Sequence, residues 1–220
     1  MTKQLTIVTQ QIHYKTTVLE LTNQRVLYWK AQESLVLSDL HIGKAAHFQK
    51  SGIAIPSSIL TKDLDRLQQL IHHFDAKKLI IVGDLFHAEY NTDLDEFKEW
   101  LKQFKHLKLV LIKGNHDRFK QSIYQDFNIE VHQPSLKIDD LQFVHDFKVP
   151  TNDFFTISGH THPGVLIKGK GRQRIKIPCF QVTENQLILP AFSLFTGLNT
   201  THAPKNCKNY AFTDDGLFEV

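Results

Sequence analysis

Leu109-Val110-Leu111-Ile112-Lys113-Gly114-Asn115-His116-Asp117 is a run of four aliphatic residues that leads, through Lys113 and a glycine, into three polar residues, and the chain uses this form more than once. Leu79-Ile80-Ile81-Val82-Gly83-Asp84 repeats it, and Leu35-Val36-Leu37-Ser38-Asp39-Leu40-His41 is a close variant. Short unbroken apolar runs bounded by turn residues predict strands buried on both faces, as in the parallel sheets of α/β proteins. Between the runs, Leu60, Leu64, Leu67, Ile71 and Phe74 recur at spacings of three and four, which predicts an amphipathic helix ending near Asp75. Pro56-Ser57-Ser58 offers the chemistry of its start. Leu94, Phe97, Leu101 and Phe104 mark a second helix, so strand and helix alternate through the middle of the chain.

Working outward, residues 16–21 and 26–29 predict short strands joined by the polar turn Thr22-Asn23-Gln24. Beyond about Ile129 the pattern changes to strands alone, at residues 136–138, 141–144, 154–158, 165–168, 175–177 and 186–189. An α/β half joined to a strand-rich half predicts two packed sheets with helices outside, one domain over residues 1–220. The composition, 41% apolar and 22% charged, is that of a globular protein and excludes disorder and fibrous repeats. A net charge of +3 permits contact with a polyanion without demanding it. Two cysteines, Cys179 and Cys207, form no CxxC pair, so no disulfide framework or zinc knuckle is expected. The opening residues contain no apolar run of signal-peptide length and no segment approaches a membrane span; the expectation is a cytoplasmic protein with no membrane partner.

Thirteen histidines are the compositional oddity, and several stand at predicted strand ends. Asp39 and His41 follow the strand ending at Ser38, Asp84 follows Gly83, and Asn115, His116 and Asp117 follow Gly114. His145 ends the strand at 141–144, and Gly159-His160-Thr161-His162 ends the strand at 154–158. Taken singly, each has an ordinary reading as a turn, a helix cap or a hydrogen-bonded loop residue. Taken together they place carboxylates, imidazoles and an amide at the strand ends where α/β sheets hold ligands.

This ordered set, Asp39-Leu40-His41, Gly83-Asp84, Gly114-Asn115-His116-Asp117, His145 and Gly159-His160-Thr161-His162, resembles that of the calcineurin-like metallophosphoesterases. The resemblance implies a four-layer αββα sandwich of two mixed sheets flanked by helices. It also implies two divalent metal ions: Asp39, His41 and His162 on one, Asn115, His145 and His160 on the other, and Asp84 bridging. Nitrogen and oxygen donors without thiolate suit Mn, Fe or Zn. His116, beside a ligand but not one itself, is then the natural proton donor to the leaving oxygen, with Asp117 orienting it.

A narrower similarity runs over most of the chain. Residues 38–48 and 52–56, Gly83-Asp84-Leu85-Phe86-His87, Ile177-Pro178-Cys179-Phe180 and Leu189-Pro190-Ala191-Phe192 resemble the ligase-associated DNA-damage-response endonucleases of the same superfamily. That resemblance implies a manganese-dependent DNA nuclease, working with a DNA ligase and a helicase. Lys44, Arg118, Lys170, Arg172 and Arg174 are the expected contacts to DNA, single strands included; the last three belong to a basic hairpin following GHTH. Phe48 and Tyr90 offer rings for stacking on unpaired bases, but loop aromatics more often cover a core edge, and both are left unassigned. The rival reading is a phosphodiesterase or phosphatase for a small nucleotide or a phosphoprotein, since the same metal site serves several esters. A scaffold that had lost catalysis would lack ligands, and all seven remain.

Overall fold

The computed structural model describes residues 4–56, 58–87, 89–146 and 153–220; the expected helix-start residue Ser57 lies outside them. The chain opens with β1 (Thr9–Tyr14), β2 (Thr17–Thr22), β3 (Leu27–Trp29) and β4 (Ser34–Leu37), followed by α1 (Lys44–Lys50) and α2 (Ser58–Phe74). Next come β5 (Lys78–Val82), α3 (Thr92–Leu101), β6 (Lys108–Ile112), α4 (Gln121–Asp126) and β7 (Ile129–His132). The remainder is strands: β8 (Ser135–Ile138), β9 (Leu141–Val144), β10 (Phe155–Ser158), β11 (Gly164–Lys168), β12 (Arg174–Val182), β13 (Gln186–Ile188), β14 (Lys208–Thr213) and β15 (Gly216–Glu219).

Among the described residues β1 to β7 form one sheet in sequence order, antiparallel from β1 to β4 and parallel from β4 to β7. The second sheet runs β15-β14-β12-β13-β10-β9-β8, with β11 paired to β12. The period of two along the central strands divides their side chains between two cores. Leu35, Leu37, Leu79, Ile81, Leu109 and Leu111 pack with Leu64, Leu67, Phe97 and Tyr124 of the helices. Val36, Ile80, Val82, Val110 and Ile112 pack with Leu141, Phe143, Ile157, Phe180 and Leu187 of the second sheet. Burying one such side chain contributes about 1.5–3 kcal/mol. A charge at Ile80, fully buried between the sheets, would therefore separate them.

The two face-to-face mixed sheets are those expected. The buried apolar residues of α2, α3 and α4 belong to the first core, so helices cover the first sheet. All the described helices precede β8, in keeping with the strand-only pattern read beyond Ile129. Elements without a sequence expectation are short or weakly apolar. α1 and α4 span seven and six residues, too few for a helical stripe to repeat, and β1, Thr-Gln-Gln-Ile-His-Tyr, has few apolar positions. The β14–β15 hairpin was legible in the alternation of Tyr210 and Phe212 before Asp215-Gly216.

This topology positions the site. β4, β5 and β6 are parallel neighbours in register, Leu37 against Ile81 and Val82 against Ile112, so their carboxyl ends lie side by side about 4.8 Å apart. β9 and β10 are parallel neighbours in the second sheet. The two edges are latched together: Phe192 N–H donates to Ser38 O (2.8 Å), and His160 N–H donates to Asp39 Oδ2 (3.1 Å).

Candidate dinuclear metal centre

The strand-end residues converge in two groups. One donor atom from each of Asp39, His41 and His162 lies within 4.8 Å of the others, and the same holds for Asp84, His145 and His160. In the first group Asp39 Oδ1 is 3.1 Å from His162 Nε2 and 3.9 Å from His41 Nε2. In the second, His145 Nε2 is 3.2 Å from His160 Nδ1, 3.1 Å from Asn115 Oδ1 and 3.4 Å from Asp84 Oδ2. That same Asp84 oxygen stands 4.0 Å from His41 Nε2, so one carboxylate faces both groups.

The residues fit a metal. Two donors about 2.0–2.2 Å from one ion lie at most about 4.4 Å apart, and each of these separations falls inside that limit. Asp39 Oδ1 is buried and accepts no hydrogen bond although His162 Nε2 is near, as expected of lone pairs aimed at a common point and not at each other. His145 Nδ1 lies 3.0 Å from the Val82 carbonyl; as the tautomer that donates there, it leaves Nε2 free to ligate. Asp39, His41, Asp84, His160 and His162 all have left-handed backbones, with φ between 48° and 69°. Each such residue stores about 1 kcal/mol or more, and strain gathered at one point is characteristic of a functional site.

The glycines that precede the donors are fixed by close approach. A Cβ on Gly83, at φ +85°, would stand 2.0 Å from His145 Nδ1, and one on Gly114 would stand 2.2 Å from Asp84 Oδ1. Each glycine makes room for a donor from a different motif.

The model of the calcineurin-like phosphoesterase family matches residues 34–193, which contain every one of these donors. The chain belongs to this family. Among solved structures, the Pseudomonas putida nuclease MPE is 29% identical, covering 97% of this chain and 100% of its own, with a TM-score of 0.82. AQ665 of Aquifex aeolicus, a protein of unknown function, is 15% identical over 63% of this chain and 82% of its own (TM-score 0.45). The phosphoesterase Yfce of E. coli is 16% identical over 85% and 97% (TM-score 0.45). No curated protein sequence matches the chain significantly. The protein is a metal-dependent phosphoesterase, and its fold implies a dinuclear divalent centre for which the two donor groups are the candidate sites.

The electrostatics of the phosphoesterase site ask for cations. Burial works to raise both carboxyls, but His162, with His145 and Ser38, holds Asp39 below its ordinary value. The bond and charge of His145, with the His116 amide and His41, hold Asp84 at about 2. Burial pushes His41 down to about 3 against the pull of Asp39 and Asp84, which keeps its imidazole neutral, the ligating form. On His145 burial also acts downward, but Asp84, Asp39 and the Val82 carbonyl outweigh it and carry the ring to about 9. The carboxylates thus demand positive charge at that nitrogen.

His116 sits at the rim, its N–H donating to Asp84 Oδ1 (2.9 Å) and its ring stacked on His87 at 4.8 Å and 23°. Asp117 departs from expectation. Its carboxylate accepts from the amides of Asp84 (2.8 Å), Gly114 (2.9 Å) and Phe86 (3.0 Å), which clamps two loops together, and makes no bond to the His116 ring. Burial lifts it to about 6 despite those amides. Lys44, expected to face phosphate, is half-buried and donates to the Phe195 carbonyl (3.0 Å), so its ammonium ties α1 to the loop after β13. Arg118 is exposed beside the site, with Nε donating to Asn115 O (2.8 Å). Lys170, Arg172 and Arg174 are exposed on the β11–β12 hairpin. Five residues of β11, about 17 Å of strand, separate its turn from His162-Pro163.

Residues without a sequence expectation complete the surroundings. His87 stacks on His116, and its half-buried position, with the charges of His116, Lys44 and His47, pulls it down to about 4. Buried Asp63 and Arg66 pair at 3.0 Å; Arg66 also donates to Phe192 O, Arg25 Nη1 to Ala191 O (2.8 Å), and the Leu194 amide to Asp63 (3.3 Å). This network holds the loop that abuts Asp39. Its signal was a charged pair, three positions apart, beside the apolar stripe of α2.

Proposed function

We propose that this chain is a dinuclear-metal phosphodiesterase that cuts DNA internally, with residues 1–220 as one catalytic domain. The observation that carries the reading is Asp84 Oδ2, 4.0 Å from His41 Nε2 and 3.4 Å from His145 Nε2, where one carboxylate can serve two ions. Asp39, His41 and His162 would hold one ion, Asn115, His145 and His160 the other, with Asp84 shared. Two such ions, when bound, lower the pKa of a water between them and stabilise charge on the entering and leaving oxygens. Two carboxylates among otherwise neutral ligands leave the pocket positive enough to attract a phosphodiester. His116, anchored by its amide to Asp84 and by its ring to His87, is placed to protonate the leaving oxygen. Asp117 keeps the loops of Asp84 and Asn115 in register through three amides.

The similarity to a nuclease over 97% of the chain supports DNA as the substrate, as do the exposed cations of the β11–β12 hairpin. Manganese is the proposed metal, matching a donor set of nitrogen and oxygen without thiolate. The reading extends to DNA repair alongside a ligase and a helicase, in the cytoplasm. Cys179 and Cys207 are unpaired, as in a reducing compartment, and among the described residues no helix is long and apolar enough to cross a membrane. The test compares supercoiled, single-stranded and duplex DNA with a phosphomonoester and a cyclic nucleotide under manganese, iron and zinc. Internal cleavage of DNA with manganese is expected; turnover of the small esters alone would remove the DNA reading.

A further inference from the structure

A cleft of about 480 Å³ opens beside His116, lined by His87, Glu89, His116, Arg118 and Phe119. Its volume lies within the range of small-ligand sites, about 300–1,000 Å³. The lining is two near-parallel imidazoles, a phenyl ring, a guanidinium and one carboxylate. The imidazoles belong to a longer row: Phe48 lies over His87 at 6.4 Å and 16°, and His87 over His116 at 4.8 Å and 23°. Exposed Tyr90 meets Phe119 at 6.4 Å on the far side.

We infer that this cleft is a nucleobase subsite on the leaving-group side of the scissile phosphodiester, an inference that rests on the DNA reading above. His116 fixes the side. The ring proposed to protonate the leaving oxygen also lines the cleft, so the sugar on that oxygen carries its base toward His87 and Phe119. The lining selects a base over a second phosphate. Flat rings offer stacking to every base, whereas Glu89, 3.9 Å from Lys50 at the exposed rim, adds a carboxylate to the lining, and Arg118, the one lysine or arginine among the described lining residues, already bonds Asn115 O through Nε.

The experiment uses the manganese-loaded protein and a single-stranded oligodeoxynucleotide with one abasic residue, its products resolved to the nucleotide so that the two bonds flanking that residue are read separately. Removing the base should slow cleavage roughly 5- to 150-fold at the bond where it sat on the leaving side, and far less at the other. Phe119→Leu keeps an apolar group against Phe86 but removes the ring, and should shrink this difference. Tyr90→Ala, at the exposed rim, should shrink it more weakly and without risk to the core. Equal rates at the two bonds, or equal losses, overturn the subsite while leaving the DNA reading intact. Failure to cut either oligonucleotide while bis-p-nitrophenyl phosphate is hydrolysed overturns the DNA reading and the subsite with it.

Discussion

Gly83→Ala tests the architecture of the centre without replacing a donor. The added Cβ would stand 2.0 Å from His145 Nδ1 and 2.3 Å from its Cγ, where ordinary contact begins at 3.4 Å. The imidazole must retreat by more than an ångström, which breaks its 3.0 Å bond to Val82 O and withdraws Nε2 from Asn115, His160 and Asp84. Left-handed strain on alanine costs about 1 kcal/mol, overpacking about 1–3 and the lost bond about 1. The sum, about 3–5 kcal/mol, lowers Tm by roughly 6–20 °C in a chain of this size. Metal affinity at the His145 group should fall at least about 10- to 100-fold, the usual effect of disturbing a ligand's support. Elemental analysis after dialysis, paired with a melting curve, reads both effects. Gly171→Ala is the control: its φ is +70° but nothing lies within 4 Å of its Cβ, so it should lose only about 1 kcal/mol and keep full metal content. If Gly83→Ala binds two ions and melts with the wild type, the close approach of Gly83 and His145 is wrong.

Asp84→Ala should abolish turnover and reduce metal at both groups, whereas Asn115→Ala should weaken only the His145 group; elemental analysis distinguishes them. His116→Ala should retain its metals yet lose roughly 10²- to 10⁴-fold on an alkyl diester and much less on a p-nitrophenyl ester, and equal losses on both would remove its role as proton donor. Replacing Lys170, Arg172 and Arg174 together by Gln should flatten the salt dependence of DNA cleavage by about 0.7–0.9 in log-log slope per lost phosphate contact. Bis-p-nitrophenyl phosphate, too small to reach the hairpin, should serve as the unchanged reference in that titration.

Much of the fold was legible because its signals are local. Runs of three or four aliphatic residues marked β4, β5 and β6, and the spacing of Leu60, Leu64, Leu67 and Ile71 marked α2 to within a residue of its end at Phe74. α1, α4 and β1 escaped because a short or polar element has too few positions for a period to show. Lys44 and Asp117 show where reading by type and neighbourhood falls short. A lysine two residues past Ile42 looked free to meet phosphate, yet the fold brings Phe195 O to its ammonium, and the carboxylate next to His116 is drawn off by amides from a loop over thirty positions away.

Residue types at strand ends, readable along the chain, marked the candidate residues, and the resemblance to the family implied the seven donors, their division between two ions and the proton donor. What brings Asp39 together with His41 and His162, and Asp84 with His145 and His160, is which strand neighbours which. His160 and Asp39 are 121 positions apart and meet only because the two sheets pack face to face and bring their strand ends together. The left-handed backbones of five donors, the glycines that admit them, and the row of rings from Phe48 through His87 to His116 arise from that packing as well. Local periodicity encodes what a segment buries, but contact between distant segments is decided by the collapse of the whole core, which no window of sequence contains.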